Sequence, residues 1–225
     1  MKVILFGATG MVGQGVLREC LLDPRVETVL SITRTATGQT HDKLRELVHR
    51  DFLDFTAIAS DLTGFGACFF CLGISSFGMK EADYYRVTYE MTMAAAQLLA
   101  SLNPGVTFIY VSGLGTDSTE QGRTMWARVK GKTENALFRL PFKAAYMFRP
   151  GAIQPLHGIK SKTALYRMMY AVTALFLPTL KELFPDSITT TEQVGRAMIK
   201  VAGQGYPKTI LENRDINQAA SELNP

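Results

Sequence analysis

The sequence predicts an α/β protein: a Rossmann-like, doubly wound parallel sheet with helices on both faces and a small C-terminal extension on the substrate side. Three observations carry this. An apolar run, Val3-Ile4-Leu5-Phe6, leads into Gly7, Gly10 and Gly13 and then into an amphipathic segment, the strand–loop–helix order of a dinucleotide site. Short apolar runs then alternate with longer segments of helical period, as in βαβ units. Ala67-Cys68-Phe69-Phe70-Cys71-Leu72 has no polar break and reads as a strand buried on both faces.

Residues 2–6 are the first predicted strand and 11–22 the first helix. Val12, Val16 and Cys20 recur four apart with Leu17 and Leu21 beside them, and Asp23-Pro24 stops the helix. In the loop, one glycine suits a tight turn, one close approach of backbone to a pyrophosphate, and one close packing of helix on strand. Gly7, Thr9, Gly10, Met11, Val12 and Gly13 are therefore candidate cofactor residues, with Gly10 nearest the phosphates. The helix N-terminus adds unpaired N–H groups and partial positive charge. The alternative is a flexible glycine loop without a ligand.

Strands are expected over 26–33 and 44–49, separated by a polar loop at 35–42. The end of the second strand selects the cofactor. An Asp or Glu about 20 residues past the glycines takes the ribose hydroxyl of NAD. Here Ser31-Ile32-Thr33-Arg34-Thr35 has no acid. Arg34 can pair with a 2′-phosphate, and Thr33 and Thr35 add hydroxyls, so NADP is favoured over NAD. An ordinary solvated loop arginine is the alternative. Asp51 and Phe52 are placed to contact the adenine, though Asp51 can equally cap the segment after it.

The strand at 67–72 ends in Cys71, Leu72 and Gly73, which join the cofactor-side candidates. Cys68 and Cys71 form a C-x-x-C, yet a zinc site needs about four ligands and no second pair exists. Residues three apart on a strand point to opposite faces, so buried structural thiols are expected and no metal is assigned. A helix is expected over 80–102, a strand over 106–112, a helix over 124–140 and a strand over 143–149. Ser112 then falls at the carboxyl end of a strand, where ligands bind in open α/β sheets.

After Pro150 the rhythm changes. Residues 163–180 read as an apolar helix; Met168 to Leu177 is ten uncharged residues, short of the roughly 20 that span a bilayer. Core or substrate lid is the expectation, with Tyr166, Met168, Met169, Tyr170 and Phe176 lining a pocket or packing in the core. Thr189 or Thr190 caps a helix running to Ala202. Residues 208–211 read as a final edge strand, and the last dozen residues as loosely held. The whole reads as one domain, 1–225, with 151–188 as a lid region.

The chain has 225 residues, 47% hydrophobic and 20% charged, a net charge of +4 and a pI near 9.0. Its basic residues are scattered, with no run of five, which argues against a nucleic-acid arm. No signal-peptide architecture opens the sequence, and three cysteines suit a reducing compartment, so a cytoplasmic protein is expected. The expected partners are a dinucleotide and an unidentified small molecule, with no nucleic acid or membrane, in a monomer or homodimer.

Phe6-Gly7-Ala8-Thr9-Gly10-Met11-Val12-Gly13, Arg34, Ser112, Lys130 and Phe148-Arg149-Pro150-Gly151 resemble the short-chain dehydrogenase/reductases. The nearest likeness is to atypical members of the NAD-dependent epimerase/dehydratase group, of the Tat-interacting oxidoreductase type. Arg86-Val87-Thr88, Val129-Lys130-Gly131 and Thr190-Thr191-Glu192-Gln193-Val194-Gly195-Arg196-Ala197 match the same pattern over nearly the whole chain. The resemblance implies that Arg149, Pro150 and Gly151 contact cofactor, that Lys130 bonds the nicotinamide ribose and that Ser112 polarises a substrate oxygen. It also implies Tyr-x-x-x-Lys, with the Tyr as proton donor or acceptor. Here Trp126 stands in the Tyr position, and an indole N–H is a donor only. Family members often carry a second Ser where this chain has Gly113. Tyr84, Tyr85 and Tyr89 are substitutes by position, though packing suits each as well. Ser112, Lys130 and Trp126 are thus the candidate catalytic residues. Three functions fit: a reductase with a displaced or water-supplied proton donor, a non-catalytic NADP-binding protein, and an epimerase- or dehydratase-like enzyme with tightly held cofactor.

Overall fold

The computed structural model describes residues 1–159 and 186–221. Its strands are β1 (Lys2–Phe6), β2 (Thr28–Thr33), β3 (Leu44–Val48), β4 (Ala67–Phe70), β5 (Thr107–Val111), β6 (Ala144–Arg149), β7 (Ala152–Gln154), β8 (Ile188–Thr190) and β9 (Ile210–Glu212). Seven form one sheet in the order β3-β2-β1-β4-β5-β6-β9, each pair parallel. The order reverses between β1 and β4, which opens a crevice at the carboxyl ends of those strands.

The helices are α1 (Met11–Leu22), α2 (Glu81–Tyr85), α3 (Met91–Leu102), α4 (Met125–Phe138), α5 (Thr191–Gln204) and α6 (Asn213–Ser221). Strand alternation divides the interior into two cores. Val3 and Leu5 face Val16, Leu17 and Cys20 of α1, with Val194, Met198 and Ile216 from α5 and α6. Ile4 and Phe6 face the other way, toward Ala96 and Leu99 of α3 and Leu137 of α4. All four residues of β4 are buried, Ala67 and Phe69 in the first core and Cys68 and Phe70 in the second. Both faces of the sheet are thus covered, as a parallel sheet requires.

α1 and α5 pack closely at small residues. A Cβ at Gly15 would stand 2.5 Å from Thr191 Cβ, and one at Gly195 would stand 2.8 Å from Glu19 Cγ. Thr190 is the cap of α5, accepting the Gln193 N–H at 3.0 Å.

Several expectations change. The helix expected over 80–102 is α2 and α3 joined by a π-helical turn, Arg86–Glu90, and a 3-10 helix, Thr56–Leu62, was not anticipated. β7 and β8 pair in parallel as a small second sheet. Of the last dozen residues, those up to Ser221 lie in α6, which buries Ile216, Ala219 and Ala220, and Asn217 Nδ2 donates to Ile188 O at 2.9 Å. That stretch reads as polar because its polar groups hold backbone carbonyls. The helix expected over 163–180, with Tyr166, Met168, Met169, Tyr170 and Phe176, lies outside the described residues, as does most of the lid region. Among the described residues no helix is long and apolar enough to cross a membrane.

Candidate functional site

The chain leaves β1 at Gly7 with φ +82°, a left-handed value that favours glycine. A Cβ there would stand 2.6 Å from the Cys71 carbonyl carbon and 2.7 Å from Leu72 N, so this turn is pressed against the end of β4. At Gly13 a Cβ would lie 2.0 Å from Gly7 O, so α1 seats on the loop only with glycine there. Gly10 differs: its Cβ would meet only Gly7 O, at 3.3 Å. Gly10 precedes α1 without a side-chain cap, and no acid occupies the first turn formed by Met11 and Val12. Backbone N–H groups and the positive end of the helix dipole are thus offered to an anion.

Beside this turn lies a cleft of about 340 Å³. Gly7, Thr9 and Leu72 line one side, Ile32, Thr33, Arg34 and Thr35 the other, with Phe52 completing it and no acidic residue in the lining. Phe52 is buried and meets Phe6 and Phe55 edge-on, at 6.2 and 5.6 Å between ring centres. Thr33 is buried and its Oγ1 has no hydrogen-bond partner among the described residues. Leaving such a group unpaired costs about 1–3 kcal/mol, which a ligand oxygen bonded there removes. Arg34 is exposed and has no hydrogen bond or ion pair among the described residues. An open backbone turn, an orphaned hydroxyl and a free guanidinium fit the phosphate and ribose of a dinucleotide.

Asp51 is not in the cleft lining. It is exposed and its carboxylate accepts the Leu53 N–H at 2.9 Å, the turn-capping alternative. Cys71 is half-buried against Gly7, and Gly73 is exposed. Cys71 packs on the first core and Cys68 lies in the second, so the C-x-x-C thiols face opposite sides of the sheet. Burial pushes both thiols upward.

The second cluster forms where β5, β6 and α4 meet. Ser112 is buried; its N–H donates to Phe148 O at 2.8 Å and its Oγ to the same oxygen at 3.2 Å. Lys130 lies one turn after Trp126 on α4 and donates from its ammonium to Ser112 O. Burial lowers the Lys130 pKa to about 8, against the opposing charge of Glu134. Trp126 lies along the loop after β5, with Cη2 3.6 Å from where a Gly115 Cβ would stand.

Arg149 departs from its expected cofactor role. Its Nε donates to Glu134 Oε1 at 3.0 Å and Oε2 at 3.2 Å, and a second nitrogen reaches Oε2 and, at 2.6 Å, Ser118 Oγ. Glu134 is fully buried. A buried carboxylate without a partner is very costly, and the guanidinium fork satisfies it. Arg149 therefore ties β6 to α4. Pro150 O accepts the Leu114 N–H at 3.0 Å, and Gly151 N–H donates to Asn213 Oδ1 at 2.9 Å. Tyr84 is buried, while Tyr85 and Tyr89 stack 4.7 Å apart under Lys132 Nζ, which is a packing arrangement.

Sequence reading missed three organising residues. Glu134 stands four after Lys130, a spacing that flags an interacting pair. Asp117 accepts N–H groups from Thr119 and Gly122 at 3.0 and 2.7 Å and so folds the loop after β5; Asp-x-Thr is its signal. That loop lies on α4 at Gly131, where a Cβ would be 1.7 Å from Asp117 O. Asn213 holds Gly151 and Ser187 O and has no local signal. Elsewhere, Glu19, His157 and Glu192 bring ligand atoms within 4.8 Å of one another. Arg196 bonds both carboxylates, at 3.1 and 2.8 Å, Arg18 also bonds Glu19, and His157 bonds Glu192 at 2.7 Å, so this is an ion-pair network joining α1 and α5.

Solved structures share this architecture over nearly the whole chain. The enzyme WbmF of Bordetella bronchiseptica, in complex with NAD+, superposes with a TM-score of 0.68 at 14% identity over 98% of this chain and 76% of that one. A short chain dehydrogenase family protein from Francisella tularensis gives 0.66 at 15% identity over 97% and 98%. These likenesses show the fold, a Rossmann-like α/β sheet shared with short-chain dehydrogenase/reductases. Gre2 of Candida albicans, in complex with NADPH, gives a TM-score of 0.70 at 13% identity over 94% of this chain and 77% of Gre2. No family model matches the chain. The finer likeness to the Tat-interacting type rests on sequence motifs alone.

In sequence the chain is similar to fungal proteins named FMP52, mitochondrial. That of Debaryomyces hansenii is 28% identical over 163 residues, 68% of this chain and 67% of the relative. That of Aspergillus fumigatus is 30% identical over 162 residues, 68% and 66%. That of Meyerozyma guilliermondii is 23% identical over 244 residues, 99% and 96%. These names overturn the cytoplasmic expectation. Targeting signals are addresses read by receptors, which neither composition nor fold reveals.

Proposed function

We propose that this protein is an oxidoreductase of the short-chain dehydrogenase/reductase type that uses NADP to interconvert a small carbonyl compound and its alcohol. The observation that carries the cofactor choice is Arg34, exposed and unpaired beside the orphaned Thr33 hydroxyl, in a cleft without an acid. A guanidinium there favours a 2′-phosphate. Gly7, Thr9, Gly10, Met11, Val12 and Gly13 would hold the pyrophosphate, and Phe52 and Leu72 would flank the adenosine. The bound cofactor supplies the reducing electron pair. Ser112 Oγ turns from Phe148 O to donate to the substrate oxygen, and Lys130 orients the nicotinamide end from one turn beyond Trp126. The mitochondrial names of the fungal relatives support a mitochondrial setting.

Trp126 favours a second reading, a nucleotide-binding protein without turnover, since an indole is not a practical acid or base. One protein sample separates the two. Trp126 is the single tryptophan, so its fluorescence reports on the site. Titration should show NADPH binding about 10- to 100-fold tighter than NADH, the worth of a charged hydrogen bond. Steady-state NADPH oxidation with a panel of aldehydes and ketones should show turnover. Equal affinities would remove the NADP assignment; tight NADPH binding with no turnover across the panel would favour the second reading.

A further inference from the structure

We propose that Lys130 is the proton donor of this site, taking the part Trp126 cannot play, and that Arg149 keeps it in that role by holding Glu134 away. This rests on the oxidoreductase reading above.

The geometry is a four-residue arrangement on three elements. Lys130 sits just beyond β5 with its ammonium on Ser112 O, beside the hydroxyl that would orient a substrate oxygen. An ammonium has three donors, and one carbonyl takes only one. The nearest acid on the same helix is Glu134, one turn on. At that spacing Lys and Glu commonly pair. Here both Glu134 oxygens accept from the Arg149 fork, and no hydrogen bond or ion pair joins Glu134 to Lys130 among the described residues.

Among the described residues the neighbouring elements supply no replacement. Glu81 is paired with Arg128 at 2.8 Å. Lys132 lies over Tyr85 and Tyr89. The Asp117 carboxylate is taken by Thr119 and Gly122. Burial raises the Tyr110 phenol well above its ordinary range, so Tyr110 stays neutral. Lys130 is therefore a half-buried cation whose one hydrogen-bond partner among the described residues is a neutral carbonyl. Such a cation gives up its proton readily, and its pKa near 8 lies close to physiological pH, where a general acid works best.

The step balances. In the reducing direction a hydrogen would leave its C–H bond on the reduced dinucleotide with the bonding electron pair and form the new C–H bond at the carbonyl carbon, which would leave the dinucleotide oxidised. The C=O π pair moves to oxygen, which takes a proton from Lys130 Nζ as that N–H bond breaks. The neutral amine recovers a proton from water. Arg149 and Glu134 are positioning residues: they touch Lys130's environment and not the substrate.

The test is the pH dependence of Lys130 acetylation by acetic anhydride in the nucleotide-free protein, followed by peptide mass spectrometry, alongside the pH profile of kcat. The acetylation midpoint of Lys130 should lie near 8, while exposed lysines titrate near about 10.4. Arg149→Gln should release Glu134 onto Lys130 and move the midpoint up. Glu134→Gln should move it down, because the opposing negative charge is lost, so the inference survives if one variant fails to fold. Native kcat should fall above the same pH, and Lys130→Met should lower kcat by about 10²- to 10⁴-fold. An ordinary lysine midpoint, or a Lys130→Met enzyme with native kcat and native alkaline limb, overturns the proposal. A midpoint near 8 with NADPH bound and no carbonyl turned over overturns the oxidoreductase reading, and the donor role with it.

Discussion

On the proposed function, Arg34 and Trp126 are the single residues whose replacement tells most. Arg34 projects from the end of β2 into solvent with no competing acid, so its removal should be felt by one cofactor only. Arg34→Ala should weaken NADPH about 10- to 100-fold and leave NADH within about twofold, measured by titration of Trp126 fluorescence. A parallel loss of both would move the 2′-phosphate contact elsewhere. Trp126→Tyr places a phenol one turn from the Lys130 charge, which lowers a phenol pKa. If proton supply limits the rate, NADPH oxidation should rise by up to about 10²-fold. Activity destroyed by the same change would make Trp126 a substrate-binding residue. Gly7, Thr33, Arg34 and Phe52 were legible in the sequence because the glycine spacing and the strand ends fix where they must stand. Arg149 was not, because its partner Glu134 reaches it only through the packing of α4 against β6.

At the scale of elements, α6 and the paired strands β7 and β8 were the part least legible. Asn213 opens α6 and bonds Gly151 N–H on one side and Ser187 O on the other, while Asn217 takes Ile188 O. The C-terminal helix thereby fixes both strands of the small sheet. Its polar sequence resembles a loose tail, since residues that satisfy distant backbone groups carry no periodic apolar signature of their own. Asn213→Ala should leave Gly151 N–H without its partner and lower stability by about 1–3 kcal/mol in urea unfolding. Hydrogen exchange should quicken at 151–154 and 187–190 with β1 to β5 unchanged; uniform quickening would show that α6 is not a local clamp. The parallel strands were legible for the opposite reason. Runs such as Ala67-Cys68-Phe69-Phe70 face helices on both sides and are apolar without interruption.

For the whole molecule, two titrating groups in different places should shape stability in opposite pH windows. Lys130 has a folded pKa near 8 against about 10.4 in an unfolded chain. Between these values the unfolded chain binds more protons, so the native protein gains stability as pH rises. Lys130→Met should abolish that rise. Glu192 is held below its usual range by His157 first, with Arg196 adding to the effect. Its contribution is present above the unfolded value of about 4.3 and is lost as pH falls through the folded one. Urea midpoints of the native protein and of Lys130→Met and Glu192→Gln, taken across pH, would check both signs. A flat alkaline limb in the native protein would mean that Lys130 keeps water.

On the proposed function, the crevice at β1, β2 and β4 delivers a cofactor to the cluster of Ser112 and Lys130. This delivery is tested most directly by isotope transfer. NADPH carrying deuterium at the transferring carbon is incubated with the native protein and a panel of aldehydes and ketones, and each product alcohol is weighed by mass spectrometry. The native protein should form a product one mass unit heavier, and Lys130→Met should not. NADPH that binds tightly while no alcohol in the panel gains deuterium would contradict it.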